Sequence, residues 1–226
     1  MGLLFKKATK VIEVNNPFFD YYTLKVEIPE GFHWKPGQFT LLSFKGKFKG
    51  RHWHAFSIAS TMEEGYILFG TRTGEHPSGF KEYLKNLKAN DFVYLRGPIG
   101  GFGFCNRNKP IVLFAGGIGI TPIFSLLKSN YKVDVETHIV YASSKSYLFK
   151  DEIDQLIHRN PFLRITYTRS TEETQNVLSK LIIKYGNDAS YFTAGSYRAI
   201  KGTKQFLRDH KIKRRNMFSN RFFGYN

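Results

Sequence analysis

The chain has 226 residues, with 34 Lys+Arg against 18 Asp+Glu for a formal net charge of 34 − 18 = +16; it is 42% hydrophobic and 16% aromatic, with a single Cys. So high an aromatic content excludes a disordered chain, and one Cys excludes both an internal disulfide framework and a cluster of iron and sulfur, which takes about four thiolates. The longest nearly apolar stretch, Pro110 to Phe124, is 15 residues broken by glycines, short of the roughly 20 a spanning helix needs. The N-terminal MGLLFKK lacks the apolar run of a signal peptide, and Lys6 stands where a myristoylation motif wants a hydroxyl. These features lead us to expect a soluble cytoplasmic protein of one large or two smaller domains.

The first half reads as strands. Tyr22, Leu24, Val26 and Ile28 alternate with Thr23, Lys25 and Glu27, a period of two. Pro36-Gly37 is a turn signal, and Gln38 to Phe44, Ala55 to Ser60 and Tyr66 to Arg72 continue the strand pattern. A short helix is predicted over Gly79 to Leu87, then a strand from Phe92 to Arg96 and a turn at Gly97-Pro98. Short strands separated by turns predict an antiparallel β-barrel.

The period then changes. Pro110 to Ala115 is continuously apolar, as a strand buried in a parallel sheet is. It runs into Gly116-Gly117-Ile118-Gly119-Ile120-Thr121-Pro122 and a helical stretch, Ile123 to Ser129. Strand-like and helix-like segments alternate afterwards: Glu136 to Ala142, Lys150 to His158, Leu163 to Thr168, Gln175 to Tyr185, Tyr191 to Ala194 and Ala199 to His210. That series predicts a parallel sheet with helices on its faces. The composition shifts at Asn106 to Asn108, so the expected domains are 1–106 and 107–226.

Charge divides unevenly between them: 14 − 9 = +5 over 1–106 and 20 − 9 = +11 over 107–226. Arg198 to Asn226 alone carries nine basic residues against Asp209, a net of +8. One reading is a solvated basic surface; the other is a docking face for an anionic partner. No zinc-finger spacing or RNA-binding signature accompanies the charge, so nucleic acid is not the expected partner.

Glycines between a buried strand and a helix let backbone approach a phosphate. The loop at 116–122 is neither the G-x-G-x-x-G fingerprint nor a P-loop, and by itself also fits a tight ligand-free turn. Its sheet context favours binding, since ligands sit outside the carboxyl ends of parallel strands.

The order of motifs resembles the ferredoxin–NADP reductase superfamily. Gly116 to Pro122 resembles its pyridine-nucleotide loop. His54-Ala55-Phe56-Ser57-Ile58 sits where that family has Arg-x-Tyr-Ser, in a version more like the branch of ferric reductases and NADPH oxidases. Pro36-Gly37-Gln38, the stretch from Leu84 through Phe102, Ala194-Gly195-Ser196 and Phe222-Phe223-Gly224-Tyr225 are similar to further motifs of the family, in order. The resemblance implies an antiparallel Greek-key FAD-binding barrel followed by a parallel five-stranded nucleotide-binding domain, and an NAD(P)H-dependent flavoprotein reductase.

Residue by residue, it implies that Phe56 packs on the flavin ring and that Ser57 hydrogen-bonds its N5, with Ile58 beside them; the alternative is an ordinary strand with an inward Phe and an outward Ser. His54 replaces the arginine that holds pyrophosphate. Ser78-Gly79-Phe80-Lys81 stands at the family's Gly-x-x-Ser/Thr, so Gly79, Phe80 and Lys81 are candidate pyrophosphate contacts, with Lys81 offsetting the loss at His54. Arg72 is a further phosphate candidate, and Glu82 would oppose phosphate unless it points away. Gly116, Gly117, Gly119, Thr121, Pro122 and Gly195 are assigned to the nicotinamide nucleotide. Ser144 and Arg169, with Lys145, are assigned to a 2′-phosphate, which leans the donor toward NADPH over NADH. Phe222 aligns with the aromatic that covers the flavin, with Phe223 and Tyr225 as rivals, and Asn220 replaces a frequent acidic residue. Cys105 reads as structural. No metal site is expected. The resemblance implies ferredoxin or flavodoxin, acidic carriers suited to the basic C-terminal segment, as acceptor. The alternatives are a reductase of ferric chelates, quinones or free flavin, with FMN still open as the flavin, and a non-catalytic nucleotide-binding module.

Overall fold

A computed structural model describes residues 6–45, 52–100, 109–129 and 135–221, with Asn220 and Arg221 described by backbone alone. The chain separates into two compact units, one before and one after residues 102–103. The expected boundary at Asn106–Asn108 lies outside the described residues, as do Cys105 and Phe222 with its rivals Phe223 and Tyr225.

The first unit is a six-stranded antiparallel sheet: β1 (Lys7–Phe18), β2 (Tyr21–Val26), β3 (Phe39–Phe44), β4 (His54–Ser57), β5 (Ile67–Arg72) and β6 (Phe92–Ile99), in the order β4-β3-β6-β1-β2-β5. The sheet curls until its two edges meet, where Ile58 bridges Phe69. Alternation along each strand sends one set of side chains into the barrel: Val11, Leu24, Leu42, Phe69 and Leu95 are all at most 2% exposed. One helix, α1 (Gly79–Lys85), plugs the barrel with the buried side chains of Phe80 and Leu84.

The second unit is a five-stranded parallel sheet ordered β11-β10-β7-β8-β9, made of β7 (Ile111–Gly116), β8 (Thr137–Ala142), β9 (Leu163–Thr168), β10 (Ser190–Gly195) and β11 (Met217–Arg221). Its crossovers are α2 (Ile120–Lys128), α3 (Lys150–His158), α4 (Thr171–Tyr185) and α5 (Tyr197–Asp209). Helices on both faces explain why β7 and β10 are buried along nearly their whole length. On one face α4 and α5 pack Leu178, Leu181 and Leu207 against Val112, Val140 and Tyr191. On the other, Phe124 of α2 stacks on Phe149 at 4.3 Å.

This is the fold class expected from the sequence, with differences of detail: Gly97-Pro98, expected as a turn, lies within β6, and the helix expected from Gln175 starts at Thr171. β1, the longest strand, breaks its own alternation: register shifts fall between Val11 and Glu13 and between Asn15 and Phe18. Each bulge moves the following side chains to the opposite face and erases the period. The second bulge also accommodates Pro17, whose missing N–H a regular ladder would not tolerate. A further difference is the start of α2 at Ile120 rather than Ile123. Pro122 sits in the first turn, where backbone N–H groups have no intrahelical partner to lose.

Within α5, Gly202 has no heavy atom within 4 Å of the position a Cβ would take. Gly202→Ala should raise stability by about 0.5–1 kcal/mol, the helix cost of glycine relative to alanine. A higher midpoint of urea denaturation at unchanged slope is the expected result; an unchanged or lower midpoint would contradict the open-surface placement.

Candidate functional site

In the barrel, β4 pairs with β3 so that Leu42 faces His54 and Phe39 faces Ser57. His54 and Phe56 point inward. The His54 ring lies 4.0 Å from that of Phe80. Phe56 is 7% exposed, with the rings of Phe69 and Phe80 at 5.8 and 6.0 Å. Phe56 is therefore a core residue of the barrel, and its open edge is small. Ile58 is fully buried and makes the bridge that closes the sheet. Ser57 is different: it is 3% exposed, and its Oγ has no hydrogen-bond partner among the described residues. A buried hydroxyl left in this state costs roughly 1–3 kcal/mol, which a bound group with a polar atom at that point would recover.

Arg72 closes β5 and pairs across the ladder with Tyr21. Its Nε donates to Asp20 Oδ2 at 2.7 Å. Lys81 of α1 donates from Nζ to the Arg72 carbonyl at 2.5 Å. Burial, and then the Arg72 charge, lower the Lys81 pKa, with Asp20 opposing. The α1 start is capped by Ser78, whose Oγ accepts from the Lys81 amide at 3.4 Å; that N–H is thereby engaged inside the protein. Phe80 is 1% exposed and serves the core, while Gly79 is exposed at the turn. Glu82 pairs with Lys85 at 3.3 Å on the outer face of the helix, the orientation that spares an anion near Lys81.

In the second unit the strand order reverses between β7 and β10, the topological switch point at which open α/β sheets hold ligands. The glycines at this point lie against each other. A Cβ on Gly119 would fall 2.2 Å from the Ala194 carbonyl oxygen and 2.7 Å from the Gly195 nitrogen. Gly195 has φ +154 and packs on Gly116, whose carbonyl oxygen is 3.1 Å from its Cβ position. Gly116 and Gly117 form the partly open rim of the turn, and Gly117 takes a φ of 54. Thr121 and Pro122 are buried instead. The Thr121 hydroxyl donates to the Ile118 carbonyl at 2.9 Å, which holds the turn itself.

The loops after β8 and β9 meet. Ser144 and Lys145 are exposed on the first, and Arg169 on the second donates from Nη1 to the Lys145 carbonyl at 3.0 Å. The Arg169 guanidinium lies over the Tyr147 ring, 5.3 Å from its centroid, a contact cations make with an aromatic face. Ser170 and Glu173 cap α4 immediately beyond. The structure thus brings Ser144, Lys145 and Arg169 together. It adds Tyr147 and, in the barrel, Asp20, neither of which the sequence singled out; a lone acid within an aromatic run and one of 13 tyrosines carry no local signal. Among the described residues no cluster of metal-ligating side chains occurs, and no helix is long and apolar enough to cross a membrane.

No family model matches the chain. The electron transfer component of toluate 1,2-dioxygenase from Pseudomonas putida is 23% identical over 200 residues, covering 83% of this chain and 58% of that protein. A probable dihydroorotate dehydrogenase B (NAD(+)) electron transfer subunit of Pyrococcus furiosus is 48% identical over 106 residues, 46% of this chain and 38% of that one. The chain therefore spans less than two thirds of the length of these curated relatives. Among solved structures, a ferredoxin NADP+ reductase from Neisseria gonorrhoeae with bound FAD and NADP superposes with a TM-score of 0.81 over 96% of this chain and 99% of that one, at 19% identity.

Gly119→Ala should destabilise the second unit by ~3 kcal/mol or more, because the added methyl meets only backbone, which cannot rotate away. Chemical denaturation followed by circular dichroism measures this; a loss under about 1 kcal/mol would mean that the turn can shift without cost.

Proposed function

We propose that this chain is a member of the ferredoxin–NADP reductase superfamily, a reading its fold and sequence relatives support, and that it is an NAD(P)H-dependent flavoprotein reductase that uses FAD and passes electrons to a separate acceptor. The observation that carries this reading is the Ser57 hydroxyl, buried and without a partner among the described residues at the end of β4. The residues present fit a flavin: Ser57 offers a hydroxyl that both donates and accepts, and Arg72 and Lys81 offer cations for its phosphates. When bound, the flavin supplies a two-electron acceptor for the nicotinamide's hydride and a one-electron donor toward the acceptor.

The chain's own residues bind and orient. Ser57 holds a polar edge of the ring system in one place by a directed hydrogen bond, which fixes the geometry on which transfer depends. Phe56, sunk among Phe69 and Phe80, supports β4 from beneath more than it presents a face for stacking. His54, set against Phe80, belongs to the same support, so Arg72 and Lys81 take the charge role. In the second unit the rim at Gly116 and Gly117 lets a nucleotide approach backbone closely, while Gly119, Thr121, Pro122 and Gly195 hold the turn that shapes the rim. Ser144, Lys145 and Arg169 place two cations and a hydroxyl on adjoining loops, the chemistry a 2′-phosphate needs, which favours NADPH over NADH. Phe222 keeps the covering role that the resemblance gives it.

For the acceptor we favour an acidic electron carrier, a ferredoxin or a flavodoxin. The exposed side of α5 and the turn after it carry Arg198, Lys201, Arg208, Lys211, Lys213, Arg214 and Arg215 against Asp209, a field that steers and orients an acidic protein. Turnover with such a carrier should fall steeply as salt rises, whereas turnover with ferric chelates, quinones or free flavin should not.

The first experiment is a visible absorption spectrum of the purified protein before and after anaerobic NADPH. Flavin bands that bleach support the reading; absence of flavin bands after incubation with FAD and FMN would overturn it in favour of a non-catalytic nucleotide-binding module. In Ser57→Ala the flavin should remain bound while the rate of bleaching drops about tenfold, the equivalent of one neutral hydrogen bond. An unchanged rate would remove Ser57 from the site.

A further inference from the structure

Arg72 is held more firmly than an exposed strand-end arginine needs to be. Its Nε donates to Asp20 Oδ2 at 2.7 Å, and the Asp20 side chain is only 3% exposed while that of Arg72 is 36% exposed. The two residues ride on one ladder. Tyr21, next to Asp20, pairs with Arg72 across β2 and β5, and the Thr73 amide, next to Arg72, donates to the Asp20 carbonyl at 2.8 Å. The Tyr21 ring flanks the guanidinium at 5.6 Å. The guanidinium is thus fixed from its Nε side by a buried carboxylate. Among the described residues its two terminal nitrogens donate to no protein acceptor. A guanidinium anchored through Nε presents those two nitrogens as a planar fork, the arrangement that takes two oxygens of a phosphate at once. Lys81 stands alongside, its Nζ on the Arg72 carbonyl at 2.5 Å, and adds a second positive charge.

We propose that Asp20 is a positioning residue, holding Arg72 so that its free fork, beside Lys81, clamps the phosphate groups of the flavin. The proposal rests on the flavin reading for the identity of the ligand, while the clamp itself is a statement about anions. Asp20 touches no ligand in this scheme. It acts through Arg72, by removing the rotamer freedom that a solvent-facing arginine would otherwise lose on binding. Two consequences separate this role from a purely structural one. The effect of Asp20 depends on phosphate being present in the ligand, and it vanishes when Arg72 is gone.

The test uses the full chain with bound flavin removed, and the variants Asp20→Asn, Arg72→Gln and their double. Binding of FAD and of riboflavin, which has no phosphate, is followed by flavin fluorescence. Binding of inorganic pyrophosphate is followed by the thermal unfolding midpoint at constant ionic strength. Asp20→Asn should weaken FAD about tenfold or more and leave riboflavin unchanged; the double variant should bind FAD no worse than Arg72→Gln; and pyrophosphate should raise the midpoint of the unchanged protein but not of Arg72→Gln. Equal weakening of FAD and riboflavin, or additive losses in the double variant, would overturn the proposal. If Asp20→Asn fails to fold, Asp20→Glu keeps the carboxylate but displaces the fork, and should show the same selective loss for FAD; its absence would overturn the proposal too. A protein that takes no flavin yet shows the pyrophosphate shift through Asp20 and Arg72 keeps the clamp and loses the flavin reading. A protein that takes FAD equally well in all variants keeps the flavin reading and loses the clamp.

Discussion

The second unit is organised by a contact that leaves no room for a side chain. The turn after β7 presses its backbone onto the end of β10, with the Cβ position of Gly119 2.2 Å from the Ala194 carbonyl oxygen. Because only glycine fits there, α2 can start directly off the sheet instead of arching over it. The same contact brings the ends of β7 and β10 together at the switch point, where Gly116 and Gly195 also meet without side chains between them. The open rim at Gly116 and Gly117 is thus a by-product of packing. Backbone that must pack closely on one side is left bare on the other, and bare backbone is what a nucleotide's phosphates can approach. Most residues of the loop serve the turn, and few face outward.

The barrel shows the opposite economy. Its interior is filled by rings, and α1 contributes Phe80 to a cluster with Phe44, at 4.5 Å, and His54, at 4.0 Å. An interior this aromatic tolerates polar groups only where they are satisfied. Asp20 meets the rule through Arg72; Ser57 does not meet it among the described residues. One exception, Ser57, falls at the end of the strand that the resemblance marks as the flavin strand; among the described residues Arg96 Nε in β6 is another. An unpaired buried hydroxyl is a standing cost to the fold, and such costs persist where a ligand repays them.

Much of this was legible in the sequence. The change of period near residue 108 separated an antiparallel half from a parallel one, because strand alternation and βαβ crossovers leave different marks. The glycine loop was visible as a loop. The bulged β1 was not, since each bulge reverses the alternation that would have announced the strand. The sequence left the inward placement of Phe56 as one of two readings, and that of His54 was not legible. An Arg-x-Tyr-Ser-like string gives the spacing of side chains along β4, but only the insertion of Phe80 from α1 decides which of them are covered.

The sequence by itself determined the two architectures, their order along the chain, the turn glycines and the excess of positive charge toward the C-terminus. All of these are properties of neighbouring residues or of composition, which local periodicity records. Tertiary structure alone decided that Asp20 holds Arg72 across 52 residues, that Arg169 reaches the Lys145 loop across 24, and that Gly119 is required by a strand 75 positions away. Those pairings follow from ladder register and crossover geometry, which bring distant positions within bonding distance without leaving any signal in the residues around them.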